Sequence, residues 1–179
     1  MNSTPDFVLD IIRLHHKENN KILEIGCGPA FLREFFPNDY IGADITDELY
    51  NENLKRDVDI VCSAEKLLLD DDSVDIVVIK SSFYLFSNHD IALSEAKRVL
   101  KKGGIILIFD YTRRTQKRLQ KQSKGSIYPC WTQWGLKKKI DNAGFTESKI
   151  LSSNTNEINF IRKIKQEIFD TWIIVQGIK

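Results

Sequence analysis

The sequence predicts an α/β fold, a mostly parallel β-sheet with helices on both faces. Two kinds of segment carry that expectation. Runs that are apolar at every position, Ile76-Val77-Val78-Ile79 and Ile105-Ile106-Leu107-Ile108-Phe109, suit strands covered on both sides. Such runs alternate with helix-length amphipathic segments, the rhythm of repeated strand-helix units. The 179 residues, 42% of them hydrophobic, suffice for one well-buried domain and not for two, so residues 1–179 are read as a single domain.

Each element has its own signal. Ser3-Thr4-Pro5-Asp6 starts an N-terminal helix within residues 1–20, with Phe7, Val8, Ile11, Ile12 and Leu14 on one stripe. Strands follow at Ile22 to Ile25, Tyr40 to Ala43, Val58 to Val61, Val74 to Ile79 and Ile105 to Phe109. Between the last two, Asn88 to Leu100 places Ile91, Ala92, Leu93, Ala96, Val99 and Leu100 at helical spacing, with Gly103-Gly104 as the stop. A second such helix runs from Trp131 to Ala143 and ends at Gly144. Beyond it the pattern predicts a strand near Phe145 to Leu151, leaves Asn156 to Lys165 ambiguous, and predicts a last strand near Phe169 to Val175.

Composition excludes several function classes. With 26 Lys and Arg against 25 Asp and Glu, no global charge draws the chain to nucleic acid or an anionic membrane. Cys27, Cys62 and Cys130 are odd in number and widely spaced, which fits neither a disulfide framework nor a zinc site. Asp70-Asp71-Asp72 reads as a solvated turn, and no metal site is expected. No apolar stretch approaches the roughly 20 residues of a membrane span, and a cytoplasmic location is expected.

The chemistry begins at Leu23-Glu24-Ile25-Gly26-Cys27-Gly28-Pro29-Ala30. Glycines placed where a buried parallel strand turns into a helix let a ligand approach the main chain. A dinucleotide fits poorly: Phe31 stands where close helix packing wants a small residue, Pro29 removes an N–H from the phosphate cradle, and Glu24 would repel a pyrophosphate. The same carboxylate attracts an ammonium, and S-adenosylmethionine carries an ammonium and a sulfonium but no phosphate. Asp44 ends the next strand sixteen residues beyond Gly28, where an acid can accept from both ribose hydroxyls. Cys62-Ser63-Ala64-Glu65-Lys66-Leu67 follows the third strand, where a main-chain amide could read an adenine edge.

These segments, with Asp72-Ser73-Val74-Asp75, Arg98-Val99-Leu100-Lys101-Lys102-Gly103-Gly104 and Asn142-Ala143-Gly144-Phe145, keep the order seen in class I S-adenosylmethionine-dependent methyltransferases, which the chain resembles from about Lys21 onward. The resemblance implies a Rossmann-like three-layer sandwich of seven strands in the order 3-2-1-4-5-7-6, the seventh antiparallel. It implies roles as well: Glu24 toward the methionine ammonium, Gly26, Cys27 and Gly28 under the donor, Asp44 and Ile45 at the ribose, Ser63, Ala64 and Glu65 near adenine, and Lys80 and Ser81 beside the methionine. Ala30 replaces the usual third glycine, and Ser63 replaces a common acid. The Cys27 thiol has no activating cation nearby in sequence and reads as a filler.

For an acceptor that must lose a proton, the candidates are Tyr84, His89 and Asp110, which follow or end strands four and five. Lys80-Ser81-Ser82-Phe83-Tyr84 lacks the Asn/Asp-Pro-Pro-Tyr signature of family members that methylate exocyclic amines, which favours a small-molecule or peptide acceptor. Residues 112–130 form a substrate-side insertion whose basic stretch, Arg113 to Lys124, is either a solvated helix or an anion clamp. That stretch motivates the alternative of an RNA-modifying enzyme; a third reading is a donor-binding module without turnover. Trp131 and Trp134 are expected in the core. With little sequence for a lid, the site is either open or covered by a second copy in a homodimer.

Overall fold

The computed structural model describes residues 4–48, 57–122, 129, 131–151 and 172–179. The expected 156–165 segment, residues 169–171 of the last strand, Cys130 and Ser123-Lys124 of the basic stretch lie outside them. The described elements are α1 (Asp6–His15), β1 (Ile22–Ile25), β2 (Tyr40–Asp44), β3 (Ile60–Val61), β4 (Val74–Lys80), α2 (His89–Val99), β5 (Leu100–Tyr111), α3 (Arg113–Gln122), α4 (Gln133–Asn142), β6 (Thr146–Ile150) and β7 (Trp172–Ile178). The strands form one seven-stranded sheet in the order β3-β2-β1-β4-β5-β7-β6. β1 pairs in parallel with β2 and β4, and β7 runs antiparallel between β5 and β6.

Strand alternation sorts the core into two layers. Leu23, Ile25, Val77, Ile79, Ile106 and Ile108 pack on Leu93 and Ala96 of α2 and Leu136 and Ile140 of α4. Their neighbours Ile22, Ile76, Val78, Leu107 and Phe109 pack on Val8, Ile11 and Ile12 of α1. Each such side chain, fully buried, contributes about 1.5–3 kcal/mol, which is why strands with no polar alternation are central ones.

The glycine turn after β1 does not lead into an α-helix. Residues 26–39 are a series of tight turns, with Ala30 N donating to Cys27 O, Arg33 N to Ala30 O, and Phe36 N to Leu32 O. Pro29 and Pro37 bracket too short a segment, and Ala30 sits at φ 54°, outside helical space. Nor do Gly103 and Gly104 stop α2. That helix ends at Val99 because Leu100 is already extended and paired with Val74. The glycines instead lie within β5 beside a register shift, where a Cβ on Gly104 would meet Lys101 O at 2.8 Å.

Arg98 of α2 holds the 67–71 turn against the domain. Its Nη2 donates to Leu67 O at 3.0 Å, its Nη1 to Leu69 O at 2.8 Å and Asp71 Oδ1 at 2.6 Å, and its Nε to Glu95 Oε1 at 2.7 Å. Arg98→Met keeps the stem but strands two carbonyls, so a loss of about 2 kcal/mol in urea unfolding is expected. A loss below about 0.5 kcal/mol would show that water replaces the guanidinium without cost.

Candidate functional site

A cavity of about 450 Å³ opens where the carboxyl ends of β1, β2 and β4 meet the turns that follow them, within the range of small-molecule sites. The glycine turn forms its floor. Gly26 and Gly28 adopt φ 72° and 52°, and the N–H groups of Gly26 and Cys27 both donate to Ala43 O of β2. Asp44 then closes the turn: its Oδ2 accepts from Gly28 N at 2.7 Å and its Oδ1 from Ile45 N at 2.8 Å. That carboxylate, 8% exposed, therefore fixes the turn's shape while lining the cavity.

Glu24 lies behind this floor and is 1% exposed. Its Oε2 accepts from the Tyr40 hydroxyl at 2.6 Å; its Oε1 has no hydrogen-bond partner among the described residues and stands 4.0 Å from Lys80 Nζ. Burial pushes the Glu24 carboxyl up to about 7, while Lys80 and the Tyr40 hydroxyl pull it down and Asp44 adds to the rise. The Cys27 thiol is pushed up to about 12 by burial and then by the Glu24 and Asp44 charges, so it is a packed, unreactive group.

On the β3 side Cys62, Ala64 and Glu65 line the cavity, whereas Ser63 does not. The Ser63 hydroxyl turns inward to donate to Glu65 Oε2, and Glu65 Oε1 accepts from Asn88 N at 2.9 Å. Burial would raise the Glu65 carboxyl, but these hydrogen bonds outweigh it and hold it low. Ser81 is held at φ 56° with its N–H on Phe109 O at 2.8 Å. Lys80 and Ser81 both face the cavity, as do Gly26, Cys27, Gly28, Asp44 and Ile45.

The far wall is aromatic. Tyr84, in a single 3₁₀ turn spanning Phe83–Leu85, and Tyr111, at the end of β5, have ring centroids 6.3 Å apart. Trp172 lies 4.8 Å from the Tyr111 ring, brought there by the antiparallel pairing of Tyr111 with Trp172. All three line the cavity. The sequence reading missed Trp172 because β7 returns it from more than sixty residues away. It also missed Phe31 and Ser82 on the lining; Ser82 follows a strand end, which was the available signal.

Of the candidate proton acceptors, the structure brings only Tyr84 to the cavity. The His89 ring packs 4.8 Å from Phe83 and 5.1 Å from Trp131, away from the lining, and burial followed by the Lys139 charge lowers its basicity. Asp110 is fully buried behind Tyr111, whose N–H it accepts at 2.7 Å, and burial pushes it up to about 7. Trp131 does pack on the core, but Trp134 is 68% exposed, because Gln133–Asn142 turns only Leu136 and Ile140 fully inward. Among the described residues no group of three His, Cys, Asp or Glu could hold a metal ion, and no helix is long and apolar enough to cross a membrane.

Comparison with known proteins agrees with this geometry. Residues 23–108 match the family model of a methyltransferase domain. An uncharacterised methyltransferase-like protein of Schizosaccharomyces pombe is 30% identical over 92% of this chain and 71% of its own length. A ubiquinone/menaquinone biosynthesis C-methyltransferase of Campylobacter jejuni is 28% identical over 78% of this chain and 61% of its own. Among curated relatives, the chain spans from 25% to 76% of their lengths. Among solved structures, a Thermotoga maritima S-adenosylmethionine-dependent methyltransferase, described as a possible histamine N-methyltransferase, shares the fold with a TM-score of 0.69 at 20% identity, covering 96% of this chain and 87% of that one. With its glycine turn, its strand order and these relatives, the chain belongs to the class I S-adenosylmethionine-dependent methyltransferases.

Proposed function

We propose that the chain transfers a methyl group from S-adenosylmethionine to a small-molecule or peptide acceptor held against Tyr84, Tyr111 and Trp172. The observation that carries this reading is the pairing, in one cavity, of two kinds of lining. Asp44, the glycine turn and Ala64 after β1, β2 and β3 supply polar and main-chain groups, and Tyr84, Tyr111 and Trp172 after β4 and β5 supply aromatic rings. When bound, S-adenosylmethionine supplies a methyl group already activated on a sulfonium. The protein then has to align the acceptor and exclude water, and the aromatic wall does both. Tyr84 is the candidate to hold or take an acceptor proton. Asp44 is the candidate for the ribose hydroxyls, with Ala64 and Glu65 at the adenine.

Calorimetric titration with S-adenosylhomocysteine tests the donor half. Asp44→Ala removes a charged acceptor and the staple on Gly28, so an affinity loss of at least about 100-fold is expected. No binding by the wild type would sink the reading. A labelled methyl donor offered with a metabolite extract tests the acceptor half.

One observation favours a second reading. Arg113, Arg114, Lys117 and Arg118 of α3 are exposed together while Thr115 and Gln116 face inward. If these cations hold an RNA acceptor, its affinity must fall steeply with salt; salt-insensitive or absent binding leaves a solvated helix.

A further inference from the structure

We propose that Asp110 is the positioning residue of the acceptor wall, a buried carboxylate that fixes the two main-chain segments from which Tyr84 and Tyr111 reach the cavity. This rests on the reading above that these rings hold the acceptor. Asp110 touches no ligand itself, being fully buried and absent from the lining.

The residue breaks the pattern of its strand. Ile106, Ile108 and Asp110 share one face of β5, and the two isoleucines pack into the apolar layer against α2 and α4. A third apolar side chain would cost less there, because a carboxylate loses its hydration on burial. What the carboxylate supplies instead is acceptors for hydrogen bonds.

Those acceptors face both tyrosines. Asp110 Oδ1 accepts from Tyr111 N at 2.7 Å. Burial raises the carboxyl to about 7, and the Tyr111 N–H, the Gln116 side-chain amide and the Tyr84 N–H each pull it back down. The three groups come from three segments: the end of β5, the first turn of α3, and the 3₁₀ turn that follows β4. Gln116 carries the connection further. Its Oε1 accepts from Trp131 N at 3.1 Å, and the Trp131 ring packs 6.0 Å from Phe83, the neighbour of Tyr84. Gln116 Nε2 and Asp110 Oδ2 are both buried without a hydrogen-bond partner among the described residues, so the amide acts on the carboxyl by proximity alone. The main chains of the two tyrosines are what the carboxylate holds.

Tyr84 needs such an anchor. Its 3₁₀ turn is three residues long, and the turn's own hydrogen bonds, Leu85 N to Ser82 O and Phe86 N to Phe83 O, do not use the Tyr84 N–H. The Tyr84 and Tyr111 rings lie 6.3 Å apart, and a carboxylate that holds both main chains sets that spacing. With a donor already activated, rate depends on alignment, and a misplacement of about 1 Å can cost about 100-fold.

The test labels the intact chain with 3-fluorotyrosine and follows the fluorine signals of its five tyrosines, assigned by single Tyr→Phe changes. Asp110→Leu should shift the Tyr84 and Tyr111 signals and leave that of Tyr40, on β2, in place. The same variant should bind S-adenosylhomocysteine within about 2-fold of the wild type and transfer methyl groups to a metabolite extract about 100-fold more slowly. Asp110→Asn keeps one acceptor oxygen at the same size and should recover at least about tenfold of that loss. Unmoved Tyr84 and Tyr111 signals, equal weakening of S-adenosylhomocysteine binding and turnover, or no recovery in Asp110→Asn overturns the positioning role. If Asp110→Leu does not fold, Gln116→Leu decides: it should shift both signals, and leaving both in place overturns the role. A wild type that methylates nothing in the extract overturns the acceptor reading instead, while the fluorine signals still decide what Asp110 holds.

Discussion

At pH 8 the Glu24→Gln variant is expected to be more stable than the wild type by about 3 kcal/mol in urea unfolding, although it removes a charge from the candidate binding site. The reason is the position of that charge. Glu24 is 1% exposed and its carboxyl is raised from an ordinary 4.5 to about 7 by burial. A raised acid stabilises the folded chain fully below pH 4.5 and loses that contribution as pH climbs through 7. At about 1.4 kcal/mol per pH unit the loss is about 3 kcal/mol. Glutamine does not titrate, and its amide oxygen can still accept from the Tyr40 hydroxyl, so the variant escapes this loss. Below pH 4.5 the two proteins should converge. Asp110, also raised to about 7 by burial, remains in both, so the variant keeps part of the downward slope between pH 4 and 7. A variant less stable than the wild type at pH 8 would mean that Lys80 and Tyr40 compensate the buried charge almost fully. With a typical domain only 5–15 kcal/mol stable, a cost of this size is a large share of the total, the kind of exchange expected where a residue serves function.

How much was legible in the sequence follows from what each residue depends on. β4 and β5 were legible because a strand buried on both faces must be apolar throughout, a local requirement. The places of Glu24 and Asp44 relative to the glycines were legible because strand ends set them, although only Asp44 lines the cavity. Three things were not. The turns at 26–39 read as the start of a helix, since Pro29 at a first helical turn is permissible and only the left-handed Ala30 forbids continuation. His89 and Asp110 follow or end the correct strands, yet their side chains turn away from the cavity, which depends on the 3₁₀ turn at Phe83–Leu85 and the packing of Trp131. Trp172 depends on the register between β5 and β7, a contact that no local pattern encodes.

Gly26→Ala is expected to cost about 3–4 kcal/mol and to abolish measurable S-adenosylhomocysteine binding. Positive φ alone does not explain the glycine, because Ala30 in the same turn holds φ 54° with a methyl group. What differs is space. A Cβ on Gly26 would stand 2.6 Å from both Cβ and Oγ of Ser82. Ser82 cannot give way cheaply: its Oγ donates to Ile25 O at 2.9 Å, and it follows Ser81, itself left-handed and tied to Phe109 O. The added methyl therefore forces the end of β4 away from the glycine turn, taking Lys80 with it. Left-handed strain of roughly 1–2 kcal/mol and overpacking of about 1–3 kcal/mol add to the stated loss. Gly103 supplies the control, at φ 78° and with no described atom within 4 Å of where a Cβ would stand. Gly103→Ala should cost only the strain, about 1–2 kcal/mol, and leave ligand affinity unchanged. Adding Ser82→Gly to the Gly26→Ala chain should recover part of its stability by removing the contact. If Gly26→Ala and Gly103→Ala prove equally costly, close packing between the ends of β1 and β4 is not what the glycine provides, and the geometry that aligns Lys80 with Glu24 must be held by something else.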